Sequence, residues 1–381
     1  MSIDSDLRFM RRALALARRG QGRVEPNPMV GCVLVRQGRV VAQGYHRVFG
    51  RAHAEVEALA AAGRQGVEVA GADVYVTLEP CCHQGKTPPC TQALIRARPR
   101  RVVAAMVDPF PQVAGRGLAR LREAGIAVDV GVGESLAREL NAPFIKRVTT
   151  GLPWVIAKWA QTVDGRIATR TGQSRWISGA QSRRLVHEIR GRVDAVMVGI
   201  GTVLADDPAL TAREVKARRL ARRVVVDPHF KIPGAARLVQ SAAAPVLIAT
   251  TQAAVAGDPR KAESLRAAGV ELFLLAERPG PLYPLAPLLR HLVEGHQATN
   301  VLVEGGGRLL GALLDEGLVD QALVFLAPKL LIDEQARPAL AGAPRPELAA
   351  AVPLRLHRMQ RQGEDVLLDY RVGGEPAKGS V

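Results

Sequence analysis

The amino-acid sequence predicts an α/β protein built from two domains. Its 381 residues exceed the ~100–200 residues of a typical domain. Strand-like apolar runs alternate with helix-like amphipathic segments along the chain, which is typical of a sheet covered by helices. Gly151 and Pro153 interrupt this pattern near the middle, and a new strand begins at once. We expect one domain over residues 1–147, a second over 148–372, and a disordered tail over 373–381.

The composition is that of an ordinary globular protein. Hydrophobic residues make up 48% of the chain, but no apolar run approaches the ~18 residues that span a bilayer. The N-terminal segment lacks the features of a secretory signal. Three of the four cysteines lie between residues 81 and 90, which favours a metal or catalytic site in a reducing compartment over disulfides. We expect a cytoplasmic protein without membrane association.

The net charge of +16 raises the question of nucleic-acid binding. The excess is spread over both halves of the chain, and aromatic residues, which stack on single strands, are only 4% of the total. A few arginines would serve equally well to bind a small phosphorylated substrate. We therefore expect a small-molecule substrate and no nucleic-acid partner.

Periodicity predicts the order of elements in the first half. Apolar runs on either side of a short polar turn predict a hairpin over residues 31–46. Before it we expect a first helix capped by Ser5 or Asp6. After it we expect a helix over 53–63 ending on Gly63 and a strand over 72–80 ending at Cys81. A helix and a strand separated by Pro99 follow, and then a further helix–strand pair with Gly125 as the helix stop.

The same alternation restarts in the second half. A strand over residues 154–160 follows the predicted domain boundary. Further strand and helix signals occupy residues 193–208, 222–228, 244–251 and 300–331, and no internal repeat of fixed period is found.

Three side chains are spaced as the ligands of a catalytic zinc ion. Such a site needs three protein ligands and one position for water, and His53, Cys81 and Cys90 supply an imidazole and two thiolates. Glu55 lies two residues beyond the histidine, where a zinc deaminase has a carboxylate that moves protons and does not bind the metal. Cys82 is the alternative ligand, and we prefer Cys81 because it directly follows the proline at the predicted strand end.

Each of these residues also has an ordinary structural interpretation. A His-x-Glu pair at a helix start is a common surface feature, and a lone cysteine before a helix is often a small core residue. The combination of both with a second Pro-Cys pair, in that order, favours the zinc site.

Three segments resemble the deaminase half of the bifunctional deaminase–reductase family of riboflavin biosynthesis: residues 25–35, 44–55 and 77–90. The eight residues between the two cysteine ligands depart from the Cys-x-x-Cys of nucleoside and nucleic-acid deaminases. Without the resemblance, Asn27 is typical of a turn and His46 of a surface position. The resemblance implies that the substrate pocket is lined by Asn27, His46, His83 and Lys86.

A glycine-rich turn in the second half predicts an anion site. In residues 301–314 an apolar strand runs into three glycines and then an apolar helix, and the free N–H groups at such a helix start bind dinucleotide phosphates. The turn is not the GxGxxG of a Rossmann unit, and similar turns often serve only close packing. Residues 199–202 offer a second glycine turn.

Residues 158–179 and 198–213 resemble the reductase half of the same family, whose fold is dihydrofolate-reductase-like. Without the resemblance, their charged residues are typical of solvated surface. The resemblance implies NADPH contacts at Ala160, Trp176, Thr202, Asp206, Gly306, Gly307 and Arg308. It implies substrate contacts at Lys158, Ser174, Arg190, Leu210, Arg213 and Glu304, with the arginines on a phosphate.

The resemblance covers nearly the whole chain and implies two consecutive reactions. A cytidine-deaminase-like domain with one zinc ion would deaminate 2,5-diamino-6-(5-phosphoribosylamino)pyrimidin-4-one. The second domain would reduce the ribosyl group with NADPH and give 5-amino-6-(5-phosphoribitylamino)uracil. We expect a homo-oligomer, a dimer or tetramer.

Two alternatives remain. One is a nucleic-acid (tRNA) base deaminase with an RNA-binding second domain, against which the long insert between the cysteines argues. The other is a second domain that only binds a regulatory ligand.

Overall fold

The computed structural model describes residues 3–84, 88–276 and 283–373. The chain divides between Gly151 and Leu152 into two compact units, each with its own sheet. Lys86 and residues 374–381, on which two of the sequence predictions fall, lie outside the described residues. No helix in the described part of the chain is long and apolar enough to cross a membrane.

The first unit contains a five-stranded sheet in the order β2-β1-β3-β4-β5. Strand β1 runs antiparallel to β2 and β3, whereas β3, β4 and β5 are parallel. The strands are β1 (Gly31–Arg36), β2 (Arg39–Tyr45), β3 (Asp73–Val76), β4 (Arg101–Ala104) and β5 (Ala127–Val130). The helices are α1 (Ile3–Ala17), α2 (Ala54–Arg64), α3 (Cys90–Ala97), α4 (Arg116–Glu123), α5 (Glu134–Leu140) and α6 (Ala142–Thr150), with a 3₁₀ turn at Arg18–Gly20.

Helices cover both faces of this sheet, because successive side chains of a strand point to opposite faces. Val33, Tyr75 and Val103 pack with residues of α1, α5 and α6. Leu34 and Val74 face the other way and pack with residues of α2, α3 and α4. The central strands are therefore buried on both sides, which holds their ends in place.

The hairpin and the order of the other predicted elements of the first unit are confirmed, with three corrections at their ends, whereas α5 and α6 were not predicted. Strand β3 ends at Val76, not at Cys81, and α2 ends at Arg64, one residue after Gly63. Helix α1 begins at Ile3, so neither Ser5 nor Asp6 caps it. Asp6 is buried instead. It accepts a hydrogen bond from the Tyr75 hydroxyl at 2.5 Å and pairs with Arg101 at 2.7 Å, which ties α1 to the sheet.

The second unit contains, within the described residues, a nine-stranded sheet in the order β11-β10-β9-β8-β12-β6-β13-β16-β15 and a small β7–β14 pair. The strands are β6 (Trp154–Thr162), β7 (Arg166–Ala168), β8 (Ala195–Gly199), β9 (Arg222–Val226), β10 (Val246–Thr251), β11 (Val270–Leu275), β12 (Asn300–Val303), β13 (Gln321–Ala327), β14 (Arg337–Pro338), β15 (Leu354–Gln362) and β16 (Asp365–Val372). The helices are α7 (Ala180–Arg190), α8 (Ile200–Asp206), α9 (Arg237–Gln240), α10 (Gln252–Gly257), α11 (Pro259–Ala267), α12 (Ala286–His296) and α13 (Gly307–Asp315), with a 3₁₀ turn at Leu348–Ala350.

The order of parallel strands brings several predicted site residues to one edge of the large sheet. Strands β8, β12, β6 and β13 are parallel neighbours, and the antiparallel pairs of this sheet are β13–β16 and β16–β15. Gly199 ends β8, and Glu304 directly follows β12. In open α/β sheets, ligands bind at the carboxyl ends of the strands, so this edge is the expected place for a second active site.

Candidate active sites

The three predicted zinc ligands of the first unit come together. His53 precedes the first residue of α2, Cys90 is the first residue of α3, and Cys81 lies on the segment after β3. The His53 Nδ1 atom is 3.6 Å from the Cys81 sulfur and 3.4 Å from the Cys90 sulfur. All three ligand atoms lie within 4.8 Å of one another. The starts of α2 and α3 and the segment after β3 therefore bring the three ligands into a single group.

These distances fit a zinc ion. Zn–S bonds of about 2.3 Å and Zn–N bonds of about 2.0 Å at tetrahedral angles place nitrogen and sulfur about 3.5 Å apart. The backbone N–H of Cys90 points at the Cys81 sulfur from 3.3 Å. Interaction with the Cys90 thiol, with further hydrogen bonds from His53 and the Cys90 backbone, lowers the pKa of the Cys81 thiol. The Cys81 sulfur is thus prepared to bind a metal as a thiolate.

Cys82 lies outside this group. It does not belong to the set of converging ligand atoms, and its carbonyl accepts a hydrogen bond from Arg120 Nη1 at 2.8 Å. The geometry therefore agrees with the choice of Cys81 over Cys82.

Glu55 is a buried carboxylic acid beside the metal ligands. It is the second residue of α2, and only 3% of its surface is exposed. Burial, with the negative charge of Cys81, raises its pKa to about 7. A carboxyl group in that range can both accept and donate a proton near neutral pH.

A cavity of about 330 Å³ opens over this group. Its wall contains His53, Cys81 and Glu55. The three predicted pocket residues that the structure describes also line it, namely Asn27, His46 and His83. Of the described candidates of the first unit, all but the fully buried Cys90 therefore line one cavity.

His46 and Asn27 form a fixed pair in this wall. The His46 Nδ1 atom is 3.1 Å from the carbonyl oxygen of Ala52, and its Nε2 atom is 3.3 Å from the Asn27 amide nitrogen. Burial lowers the pKa of His46, so the ring is neutral at pH 7, with Nδ1–H donating to Ala52 and Nε2 accepting from Asn27. The amide of Asn27 is thereby oriented, and its oxygen remains to accept from a ligand.

Asp108 is a cavity residue that the sequence analysis missed. It follows β4 by four residues, is 7% exposed and lines the same cavity. Burial, with the negative charges of Glu79 and Cys81, raises its pKa to about 6. The available signal was an acidic residue shortly after β4, the parallel neighbour of β3. Because parallel strands end at the same edge of a sheet, residues after β4 lie near the segment after β3 that carries Cys81.

Glu79, within the cysteine motif, has a structural role. Its carboxylate accepts hydrogen bonds from the backbone N–H groups of Asp108 (3.1 Å), Gly115 (2.9 Å), Gly117 (2.8 Å) and Leu118 (3.3 Å). It therefore joins the metal-bearing segment to the Asp108 loop and to the start of α4.

In the second unit, a buried ion cluster lies at the edge where the parallel strands end. The Arg190 guanidinium binds the Glu304 carboxylate with two hydrogen bonds, and Lys158 Nζ is 3.9 Å from Glu304 Oε2. Although burial opposes it, the charges of Arg190 and Lys158 lower the pKa of Glu304. Burial lowers the pKa of Lys158. Three predicted substrate residues therefore form one charged group.

The segment from Leu210 to Arg213 lies against this cluster. The carbonyl of Thr211 accepts a hydrogen bond from Arg190 at 3.3 Å, and the Arg213 N–H is 3.3 Å from His187 Nδ1. Leu210 is buried, whereas Arg213 is exposed. His187, one turn before Arg190 on α7, is a second residue that the sequence analysis missed.

The three glycines after β12 differ in their surroundings. A Cβ atom on Gly306 would meet no atom within 4 Å, whereas one on Gly307 would lie 3.1 Å from the backbone of Ala339 and Ala341. Gly307 is therefore needed for close packing, and Gly306, just before the first residue of α13, faces open space. Arg308 is exposed beside it.

The remaining predicted cofactor and substrate residues lie on the segment before α7, on α8 and on β6. Arg175 donates to the carbonyl of Asp206 at 3.0 Å, and Trp176 is 62% exposed with the Arg183 guanidinium 4.4 Å from its ring centre. Ser174 begins the turn that carries Trp176. Ala160 is paired with Phe325 in the sheet, and Thr202 lies on α8.

A second group of possible metal ligands lies apart from that edge. Glu271 Oε1 is 2.6 Å from His291 Nε2 and 3.0 Å from His296 Nε2. Nitrogen and oxygen ligands of tetrahedral zinc would be about 3.3 Å apart. Arg222 also lies 3.0 Å from His296 Nδ1, where a metal-bound histidine would need an acceptor and not a donor. This group is therefore a hydrogen-bond network.

Comparison with known proteins gives matches to both halves of the chain. The family model for the cytidine and deoxycytidylate deaminase zinc-binding region matches residues 3–106, and the RibD C-terminal domain matches residues 153–368. Riboflavin biosynthesis protein RibD of Aquifex aeolicus is 39% identical over 97% of this chain and 99% of its own length. The Escherichia coli protein of the same name is 42% identical over 94% and 97%.

Solved structures of similar proteins agree with these sequence matches. Acinetobacter baumannii RibD, form 1, is 36% identical and superimposes with a TM-score of 0.86, covering 98% of this chain and all of that one. The Thermotoga maritima diaminohydroxyphosphoribosylaminopyrimidine deaminase/5-amino-6-(5-phosphoribosylamino)uracil reductase is 33% identical, with a TM-score of 0.83 and coverage of 97% and 99%. The predicted fold class, a cytidine-deaminase-like zinc domain followed by a dihydrofolate-reductase-like domain, is confirmed. With both domains present at these identities over nearly its whole length, the chain belongs to the RibD family of bifunctional deaminase–reductases of riboflavin biosynthesis.

Proposed function

We propose that this chain catalyses two consecutive steps on one phosphorylated pyrimidine. The first is hydrolytic deamination of 2,5-diamino-6-(5-phosphoribosylamino)pyrimidin-4-one, and the second is reduction of the ribosyl group to give 5-amino-6-(5-phosphoribitylamino)uracil. The observation that carries the first step is the convergence of His53, Cys81 and Cys90 beside the buried Glu55. The comparisons offer no support for a nucleic-acid deaminase.

In the deaminase site, His53, Cys81 and Cys90 would hold the zinc. Bound zinc would supply an activated water molecule for attack on the ring carbon that carries the amine. Glu55 would take a proton from this water and pass it to the departing amine, so that ammonia leaves. Its raised pKa suits both transfers. The oriented Asn27 amide and the buried Asp108 would hold the polar edge of the ring.

In the reductase site, we assign NADPH to the turn that contains Gly306. The nine-residue helix α13 begins there, open space lies over the glycine, and Arg308 is exposed beside it. Backbone N–H groups at a helix start and a guanidinium both bind phosphate. NADPH supplies the hydride when bound. Lys158 and Glu304 would orient the ribosyl group, and Arg213 would bind its phosphate.

The experiment is turnover of the diaminopyrimidine substrate by the zinc-loaded full chain, with ammonia and absorbance recorded with and without NADPH. We expect ammonia release in both cases and oxidation of NADPH only after deamination. NADPH oxidation without ammonia release would contradict the order, and no ammonia under any condition would contradict the function. Fluorescence titration with NADPH and NADH tests the cofactor. Cytoplasmic location and a homo-oligomeric state stay predictions.

A further inference from the structure

Helix α6 carries an arginine that the proposed chemistry does not use. Arg147 lies in the wall of the deaminase cavity. Its Nε atom is buried, and no described residue accepts a hydrogen bond from it. Burying such a donor without an acceptor costs free energy. Most buried polar groups have a partner, so an exception at a cavity wall requires an explanation.

The charge of Arg147 is also uncompensated within the described residues. Burial lowers its pKa, and no neighbouring carboxylate opposes this effect. Glu55 and Asp108 line the same cavity, but neither interacts electrostatically with Arg147. Arg147 therefore does not serve to neutralise these carboxylates.

The substrate of the proposed deamination has an anionic group that would compensate the charge of Arg147. Its pyrimidinone ring must lie at the zinc ligands and Glu55, so its ribose phosphate extends away from them. A phosphate offers several acceptors and two negative charges, and a guanidinium binds it through two parallel hydrogen bonds. Arg51 also lines the cavity, but it is exposed, so water satisfies its donors.

We propose that Arg147 binds the 5′-phosphate of the deaminase substrate and thereby selects phosphorylated over unphosphorylated pyrimidines. This inference rests on the proposed deaminase function. It assigns a specificity role to the last helix of the first unit, which precedes the reductase strand β6 by only three residues.

The test compares two substrates in the zinc-loaded full chain, the ribosylamino-pyrimidinone with and without its 5′-phosphate. We expect Arg147→Met to raise KM for the phosphorylated substrate about 10- to 150-fold, the effect of losing a charged hydrogen-bonded contact, with kcat changed only a few-fold. KM for the unphosphorylated substrate should stay the same. Arg147→Lys, which keeps the charge but not the planar fork, should give a smaller rise.

A matched control removes the same charge elsewhere. Arg138 lies on α5, outside the cavity wall, and pairs with Glu134 at 2.7 Å. Arg138→Met should leave both KM values unchanged. In addition, ribose 5-phosphate should inhibit deamination by the wild-type chain competitively and should inhibit the Arg147→Met variant much less.

The outcomes separate this inference from the proposed function. Equal losses on both substrates, in Arg147→Met or in Arg147→Lys, would overturn the phosphate role. If Arg147→Met loses its zinc through misfolding, the lysine variant decides the question by the same comparison. A wild-type chain that releases ammonia from neither substrate would instead refute the deaminase function itself.

Discussion

The guanidinium of Arg190 binds both oxygens of the Glu304 carboxylate, with Nε–Oε1 at 2.5 Å and Nη2–Oε2 at 2.9 Å. Its Nη1 atom also donates to the carbonyl of Thr211 at 3.3 Å. Arg190 is therefore engaged before any substrate binds, and it fixes Glu304 against the loop that leads to Arg213. Arg213, in contrast, is exposed.

We predict that Arg213→Ala mainly raises KM of the reductase for its phosphorylated substrate. A contact made equally in the ground state and the transition state changes binding and not kcat. Losing a charged hydrogen bond of about 1.5–3 kcal/mol should lower kcat/KM roughly 10- to 150-fold. Ammonia release should not change. Equal losses with a dephosphorylated substrate would show that Arg213 is structural or serves the cofactor.

Replacing Glu55 by glutamine should keep the zinc and abolish most deamination. The amide cannot move a proton, and a positioned acid–base group contributes at least about 10²-fold in rate. Zinc analysis and an ammonia assay check this. The control is Glu57→Gln on the same helix, which removes a partly buried carboxylate paired with Arg47 at 3.1 Å. Normal ammonia release by the Glu55 variant would refute its role as proton shuttle.

Cys81→Ser and Cys90→Ser should each lose most of the zinc, whereas Cys82→Ser should retain about one equivalent per chain. Two remaining ligands are too few for a stable site, and Cys82 lies outside the converging group. Metal analysis after dialysis against a weak chelator decides the matter. Loss of zinc from Cys82→Ser with retention in Cys81→Ser would move the ligand by one residue.

Glu79→Ala should destabilise the first unit although it replaces none of the three predicted zinc ligands. It removes the carboxylate that four backbone N–H groups share, and unsatisfied buried donors cost about 1–3 kcal/mol each. We expect a calorimetric transition of the zinc-loaded chain to shift to lower temperature by several degrees. The exposed Glu68, which pairs with Arg36 at 3.5 Å, provides the control, and Glu68→Ala should cause almost no shift. An equal shift in both variants would refute the structural role of Glu79.

The two halves should also work separately. A fragment ending near Thr150 should release ammonia without NADPH, and one beginning near Val148 should oxidise NADPH only with the deaminated product. Circular dichroism of each fragment provides the folding control, because a domain interface can stabilise both partners. A folded second fragment that reduces nothing, while the full chain does, would count against independent domains.

The sequence by itself predicted the α/β class, the order of many of the elements and a set of candidate zinc ligands that the fold brings together. Alternating apolar residues, glycine stops and closely spaced cysteines are local signals, because secondary structure and ligand type depend on near neighbours along the chain. His53 and Glu55 lie two residues apart, so their shared location is a property of one helix start. The predictions were less accurate where ends of elements are fixed by packing. Asp6 pairs with Arg101 inside the protein and does not cap α1.

Only the tertiary structure decided which distant residues share a site and which charges are already neutralised. Asp108 and Arg147 reach the cavity because strand order and helix packing bring them there, and no local pattern marks Arg147. Nothing in the sequence indicates that Arg190 is paired. In the folded chain its guanidinium donates two hydrogen bonds to Glu304, more than a hundred residues later. Burial and pairing depend on the whole fold, so the pKa of Glu55 and the missing acceptor of Arg147 are properties of the folded chain alone.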